Sequence, residues 1–185
     1  LELLLLCHAA TRAMKTGRFP AGDEPADDTA HAPLPAGEIT RVISSPARVA
    51  RDMAAGIAHD FDVDPAFDDI DYGLWRGRLI RELADGEAAQ LSAWLTDPQA
   101  RPHGGESIGM LAARVIEALA RIEREMPGGR CIVVTHAIVV KVAVAHAQRK
   151  PLSSVYAMNV APCSVTVLSR TPKAQDWSVT LPPPA

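Results

Sequence analysis

Two histidines stand directly after apolar runs: His8 follows Leu3-Leu4-Leu5-Leu6-Cys7, and His136 follows Ile132-Val133-Val134-Thr135. Short apolar runs of this kind suit strands buried on both faces. A residue at the end of such a strand lies at the sheet edge where α/β folds hold their ligands. If the two strands are neighbours, both imidazoles enter one crevice, where they could bind a metal, bind an anion, or act as a nucleophile and its partner. A metal would call for three or more ligands. The nearest sulfur in sequence, Cys7, points away from His8 if the strand continues through both. A single such histidine is more often a hydrogen-bonded loop residue than a catalyst; two at equivalent strand ends reverse that balance.

The surrounding pattern supplies the elements that hold them. Arg41-Val42-Ile43-Ser44 reads as a second strand, with Ser45-Pro46 as N-cap and first-turn proline of a helix reaching about His59. The stretch from Gly17 to Gly37 is rich in Pro, Gly and Asp and reads as loop. Phe67 to Ile70 is expected as a short strand, Tyr72 to Gly77 as a turn, and roughly Leu79 to Leu95 as helical. The strongest helical signal begins near Glu106-Ser107, where Ile108, Leu111, Val115, Ile116, Leu119 and Ile122 recur at spacings of three and four until Pro127-Gly128-Gly129. Cys131 to Thr135 reads as a buried strand and Ile138 to Ala147 as the helix after His136. Val165 to Leu168 and Trp177 to Leu181 are later strands, and Pro182 to Ala185 a frayed tail. This alternation predicts an α/β fold: a three-layer α/β/α sandwich with a mostly parallel central sheet, residues 1–185 forming one domain.

Composition narrows the chemistry further. The 185 residues are 48% hydrophobic and 22% charged, which excludes disorder and fibrous repeats. Lys and Arg number 19 against 22 Asp and Glu, a net charge of -3 without the basic excess of a nucleic-acid surface. The cysteines Cys7, Cys131 and Cys163 form no CxxC pair, so neither a disulfide framework nor a zinc site is expected, and a reducing, cytoplasmic setting fits best. Leu3 to Cys7 resembles a lipoprotein signal only superficially, having no basic segment before it and falling short of the ~7–15 apolar residues required. No run approaches the ~20 apolar residues of a membrane span.

Five segments, in order, carry a family resemblance. Leu5-Leu6-Cys7-His8-Ala9-Ala10-Thr11 resembles the Arg-His-Gly-Glu-Thr opening of the histidine phosphatase superfamily, which includes the cofactor-dependent phosphoglycerate mutases. Ser44-Ser45-Pro46-Ala47-Arg48-Val49-Ala50-Arg51-Asp52-Met53-Ala54 is similar to its Ser-Ser-Pro-Leu-x-Arg-Ala-x-x-Thr-Ala segment. Asp69-Ile70-Asp71-Tyr72-Gly73-Leu74-Trp75-Arg76-Gly77 resembles Glu-x-x-Phe-Gly-x-Trp-Glu-Gly. Gly104-Gly105-Glu106-Ser107, with Arg114-Val115 behind it, resembles the Gly-Glu-Ser helix start, and Val133-Val134-Thr135-His136-Ala137 with Lys141 resembles Val-Val-x-His-Gly with its later arginine.

The resemblance implies a metal-independent phosphomonoester hydrolase without cofactor, in which His8 attacks phosphorus and forms a phosphohistidine that water hydrolyses. His136 would donate to the phosphoryl oxygens. Asp69 stands at the position of the acid that protonates the leaving group, with Glu106 in reserve. Thr11, Arg12, Arg48, Ala137 and Lys141 are the expected substrate contacts, and a small helical cap within 79–103, including Trp94, would set specificity. The expected partner is a small phosphorylated metabolite, with no nucleic acid and no membrane; the oligomeric state is not legible.

Departures from the pattern are as informative. The two phosphate-binding arginines of the family are replaced by Cys7 and Val49, leaving Arg12, Lys15, Arg18, Arg48 and Lys141 to supply positive charge, and Ala9 and Ala137 replace glycines. A thiolate phosphatase would need Cys followed by five residues and then Arg; here Arg12 comes too early and position 13 is Ala13. A domain that kept the fold and lost the arginines could instead bind a phosphorylated metabolite or a protein partner without turnover.

Overall fold

The computed structural model describes residues 1–26, 34–171 and 176–182. Part of the loop expected from Gly17 to Gly37, and the tail beyond Pro182, lie outside the described residues.

Six strands form one mixed sheet: β1 (Glu2–Cys7), β2 (Arg41–Ser44), β3 (Asp62–Val63), β4 (Arg130–Thr135), β5 (Val165–Ser169) and β6 (Ser178–Thr180), in the order β3-β2-β4-β1-β5-β6. Neighbours from β3 to β1 are parallel, whereas β5 runs antiparallel to β1 and β6 antiparallel to β5. The leucine run is explained by burial on both faces. Leu3 and Leu5 join one apolar cluster with Leu111, Val115 and Val139, while Leu4 and Leu6 join another with Ala50, Met53 and Ala54. Each such leucine contributes about 1.5–3 kcal/mol of transfer free energy, which fixes the strand at the centre of the sheet.

Helices cover both faces: α1 (Arg12–Thr16), α2 (Arg48–Ala55), α3 (Ile80–Gly86), α4 (Ala88–Thr96), α5 (Ile108–Glu125) and α6 (Ala137–Ala147). Ser107 caps α5 by accepting the Met110 N–H at 3.1 Å, and the side chains at the expected spacings are buried, Ile116 only partly. The helical reading of 79–95 resolves into α3 and α4. Among the described residues, no helix is long and apolar enough to cross a membrane.

Three local expectations are corrected. α2 starts at Arg48 with Ala47 as its N-cap residue and ends at Ala55, well before His59; the Ser45 hydroxyl is engaged elsewhere, as described below. The strand expected at Phe67 to Ile70 is absent. The sheet edge is instead Asp62–Val63, after which Asp64 accepts the Ala66 N–H at 2.9 Å and opens a 3-10 turn over Pro65–Phe67. Proline offers no ladder donor, and the buried Phe67 anchors the chain by accepting the Thr135 hydroxyl at 2.6 Å. Finally, α1 was not anticipated. Thr11 caps it through the Met14 N–H, and Gly17 ends it in the left-handed region at φ 65°.

Candidate active site

The β1–β4 register places Cys7 opposite Thr135, and the His8 N–H continues the ladder to the Thr135 carbonyl at 2.9 Å. His8 and His136 therefore leave the sheet side by side, their rings edge to face with centroids 4.8 Å apart. Both are buried. Nδ1 of His8 lies 2.6 Å from the Ala9 carbonyl oxygen. A carbonyl only accepts, so Nδ1 carries the proton and, in the neutral ring, Nε2 holds a free lone pair. Burial, reinforced by the neighbouring His136, lowers the His8 pKa from 6.5 to about 4. The ring is neutral at physiological pH.

His136 is the N-cap residue of α6 and is enclosed by acids and a hydroxyl. Its Nε2 lies 2.8 Å from Ser45 Oγ and 3.5 Å from Asp68 Oδ1, and its buried Nδ1 has Asp69 Oδ2 at 3.8 Å with no hydrogen-bond partner. The two carboxyls differ in proton affinity. Burial raises the Asp69 pKa, against an opposing pull from His136. Burial also pushes Asp68 upward, but contacts with His136, the Asp69 N–H and Ser45 together outweigh it and hold Asp68 below the usual carboxylate range. Neighbouring acids driven apart in this way are suited to different tasks.

Arg114 fixes the loop that bears them. It pairs with Glu106 through Nε and Nη2 at 2.8 and 2.9 Å, and donates to the carbonyls of Ala66, Asp68 and Asp69 at 2.8, 3.1 and 3.0 Å. Glu106 is thus held in a two-pronged ion pair at the start of α5 and also accepts the Asp71 N–H at 3.4 Å. A cleft of about 420 Å³ opens beside Asp68 and Asp69, bounded by Asp71, Glu106 and Arg114. A larger cavity of about 490 Å³, against His146, Arg149 and Trp177, lies at the far end of α6 from His136.

The cations are distributed unevenly. Lys141, one turn into α6, is half-buried and interacts electrostatically with Cys7; burial lowers its pKa. Arg12 is on the exposed surface of α1. Arg48 is exposed and pairs with Asp52 at 3.5 Å, and Arg18 donates to the Gly77 carbonyl at 2.9 Å. Thr11 serves as the α1 cap and Ala137 opens α6. Cys7 and Val49 are both buried, and burial pushes the Cys7 thiol up to about 12. A thiol so held is not a thiolate nucleophile. Sequence reasoning missed both Ser45 and Asp68 as partners of His136; the adjacency of Asp68 to Asp69 was the available signal.

Residues 3–180 match the family model of the histidine phosphatase superfamily, branch 1. The chain belongs to this superfamily. Among its members, Adenosylcobalamin/alpha-ribazole phosphatase of Salmonella typhimurium is 26% identical over 174 residues, 86% of each protein. Bifunctional protein Rv2228c of Mycobacterium tuberculosis is 33% identical over 109 residues, which are 57% of this chain and 30% of that protein, so the present chain matches under a third of that relative's length. In the solved structures, mycobacterial glucosyl-3-phosphoglycerate phosphatase Rv2419c in complex with VO3 shares the fold at a TM-score of 0.81, with 22% identity and 97% of each chain covered. The likeness to this solved structure extends over the sheet and the helices that flank it.

Proposed function

We propose that this chain is a phosphomonoester hydrolase that acts on a small phosphorylated metabolite through a phosphohistidine at His8. The observation carrying this reading is the meeting of a neutral His8, its Nδ1 proton committed to a carbonyl, with His136 and two carboxyls of opposed proton affinity. Nε2 of His8 attacks phosphorus as the bond to the leaving oxygen breaks, and Asp69 gives its proton to that oxygen. Water then attacks the phosphorylated His8, passing a proton to the Asp69 carboxylate, and the phosphorus–nitrogen bond breaks to release phosphate.

Charge on the phosphoryl oxygens is offset by Lys141 and by the backbone N–H groups that open α6, which no side chain caps. Glu106, bound to Arg114, holds the acid loop in this scheme rather than delivering the proton. The α3–α4 pair forms the cap that selects the leaving group. The burial of Cys7 and Val49 at the positions of the family's arginines supports a second reading, a domain that binds phosphorylated ligands with impaired turnover.

The deciding experiment is turnover of p-nitrophenyl phosphate by the wild type, His8→Ala and Cys7→Ser. The hydrolase reading expects turnover that His8→Ala abolishes and Cys7→Ser largely keeps. Activity lost in Cys7→Ser and kept in His8→Ala would overturn it, and wild-type binding of phosphate esters without turnover would favour the second reading.

A further inference from the structure

The hydrogen-bond bookkeeping around Ser45 determines more than its own position. Ser45 Oγ has three neighbours: the Ala47 N–H at 3.1 Å, Asp68 Oδ1 at 3.1 Å and His136 Nε2 at 2.8 Å. The backbone N–H donates, so Oγ accepts there. Asp68 also takes the Asp69 N–H at 2.9 Å, and an ionised carboxylate can only accept. The single hydroxyl proton of Ser45 therefore goes to Asp68, and His136 Nε2, the remaining neighbour, has to be the donor. In neutral His136 this leaves Nδ1 bare, which is the buried nitrogen that faces Asp69 Oδ2.

We infer that Asp68, acting through Ser45, is a positioning residue that locks neutral His136 as the Nε2–H tautomer and so keeps Nδ1 as an acceptor toward the Asp69 carboxyl, holding the acid proton until it passes to the leaving oxygen. The inference about the tautomer stands on geometry alone; its catalytic consequence rests on the hydrolase reading above. Other charged groups facing His136 do not compete for Nε2. His8 meets it ring edge to face from the end of β1, Asp69 lies on the Nδ1 side, and Asp68 Oδ1, 3.5 Å from Nε2, is itself an acceptor that favours the same Nε2–H form. With Asp68 removed, the Ser45 hydroxyl is free to turn and donate to Nε2, which reverses the tautomer. The bare nitrogen then faces Ser45, and Nδ1–H faces Asp69, where a donor favours the ionised carboxylate and removes the acid proton.

The test uses nitrogen-15 NMR of the imidazoles in the whole chain, assigned by comparison with His136→Gln, in the wild type, Asp68→Ala and Ser45→Ala. The wild type should show Nε2 of neutral His136 protonated and Nδ1 bare. Asp68→Ala should shift the population toward Nδ1–H, Ser45→Ala should leave a mixture, and both should lower kcat roughly tenfold or more with smaller changes in KM. A wild type already in the Nδ1–H form overturns the inference even if neither variant folds, and so does an unchanged tautomer in a folded Asp68→Ala. A wild type without phosphatase turnover but with the Nε2–H tautomer would refute the hydrolase reading and leave the tautomer relay supported.

Discussion

Acidification should weaken the folded wild type through His8, by an amount that the site geometry sets. The ring titrates at about 4 in the fold against 6.5 in the unfolded chain, so above pH 6.5 it is neutral in both states and contributes no difference. Between these values the unfolded chain binds a proton that the folded chain refuses, and stability falls by about 1.4 kcal/mol for each pH unit. The loss is about 2 kcal/mol near pH 5 and about 3 kcal/mol near pH 4, where the folded ring also becomes protonated. Urea unfolding of the wild type and His8→Gln, each near pH 7.5 and pH 5, isolates this contribution because the carboxylates common to both proteins cancel. The stability gap should move by about 2 kcal/mol in favour of His8→Gln on acidification. A gap equal at both pH values would refute the reasoning, since it would mean that His8 titrates alike in the folded and unfolded chain. The same depressed value places the acid limb of kcat/KM near pH 4, where an ordinary imidazole would place it near 6.5.

Asp69→Asn should slow alkyl phosphates by about 100-fold or more while barely changing p-nitrophenyl phosphate, whose leaving group needs little protonation; equal losses on both would move the proton donor elsewhere. Lys141→Met should lower kcat/KM by about 10–100-fold, the worth of one charge-assisted contact, and Cys7→Arg in that background should recover part of the loss in the same steady-state assay. Arg114→Ala should cost about 2–3 kcal/mol in a denaturant titration, because it strands the Glu106 carboxylate and several loop carbonyls; a loss below about 0.5 kcal/mol would show that the acid loop is held by other contacts.

Much of the scaffold was legible because burial wrote it into local patterns. The Leu3 to Leu6 run and the Cys131 to Thr135 run are apolar without alternation, as strands covered on both faces must be, and α5 carries its buried stripe at helical spacing. That β1 and β4 are adjacent, despite their separation in sequence, is a long-range fact that no local pattern contains. It became readable only through two histidines at equivalent strand ends. The strand expected at Phe67 to Ile70 was misplaced because Phe67 and Ile70 are buried anchors of a loop, while the edge strand itself is the exposed pair Asp62 and Val63. Ser45 was read as a helix cap because serine before proline usually is one. Its hydroxyl serves His136 and Asp68 instead, a partnership between three chain segments that only the folded arrangement reveals.

Arg114 gathers the carbonyls of Asp68 and Asp69 on one side of the acid loop, and a peptide group held by its oxygen presents its N–H to the opposite side. Those N–H groups, on Asp69 and Ile70, meet Asp68 Oδ1 and Asp69 Oδ1 at 2.9 and 2.8 Å. Beyond its direct charge on Asp69, the guanidinium thereby acts on the site through two oriented amide dipoles. They also make the two oxygens of Asp69 unequal. Oδ1 is engaged as an acceptor, which leaves Oδ2, the oxygen that faces His136, to carry the proton in the proposed scheme. A lysine at position 114 would carry the same charge but lacks the planar fork that grips several carbonyls and a carboxylate at once. It would leave those peptides free to flip, and with them the choice of which oxygen is the acid.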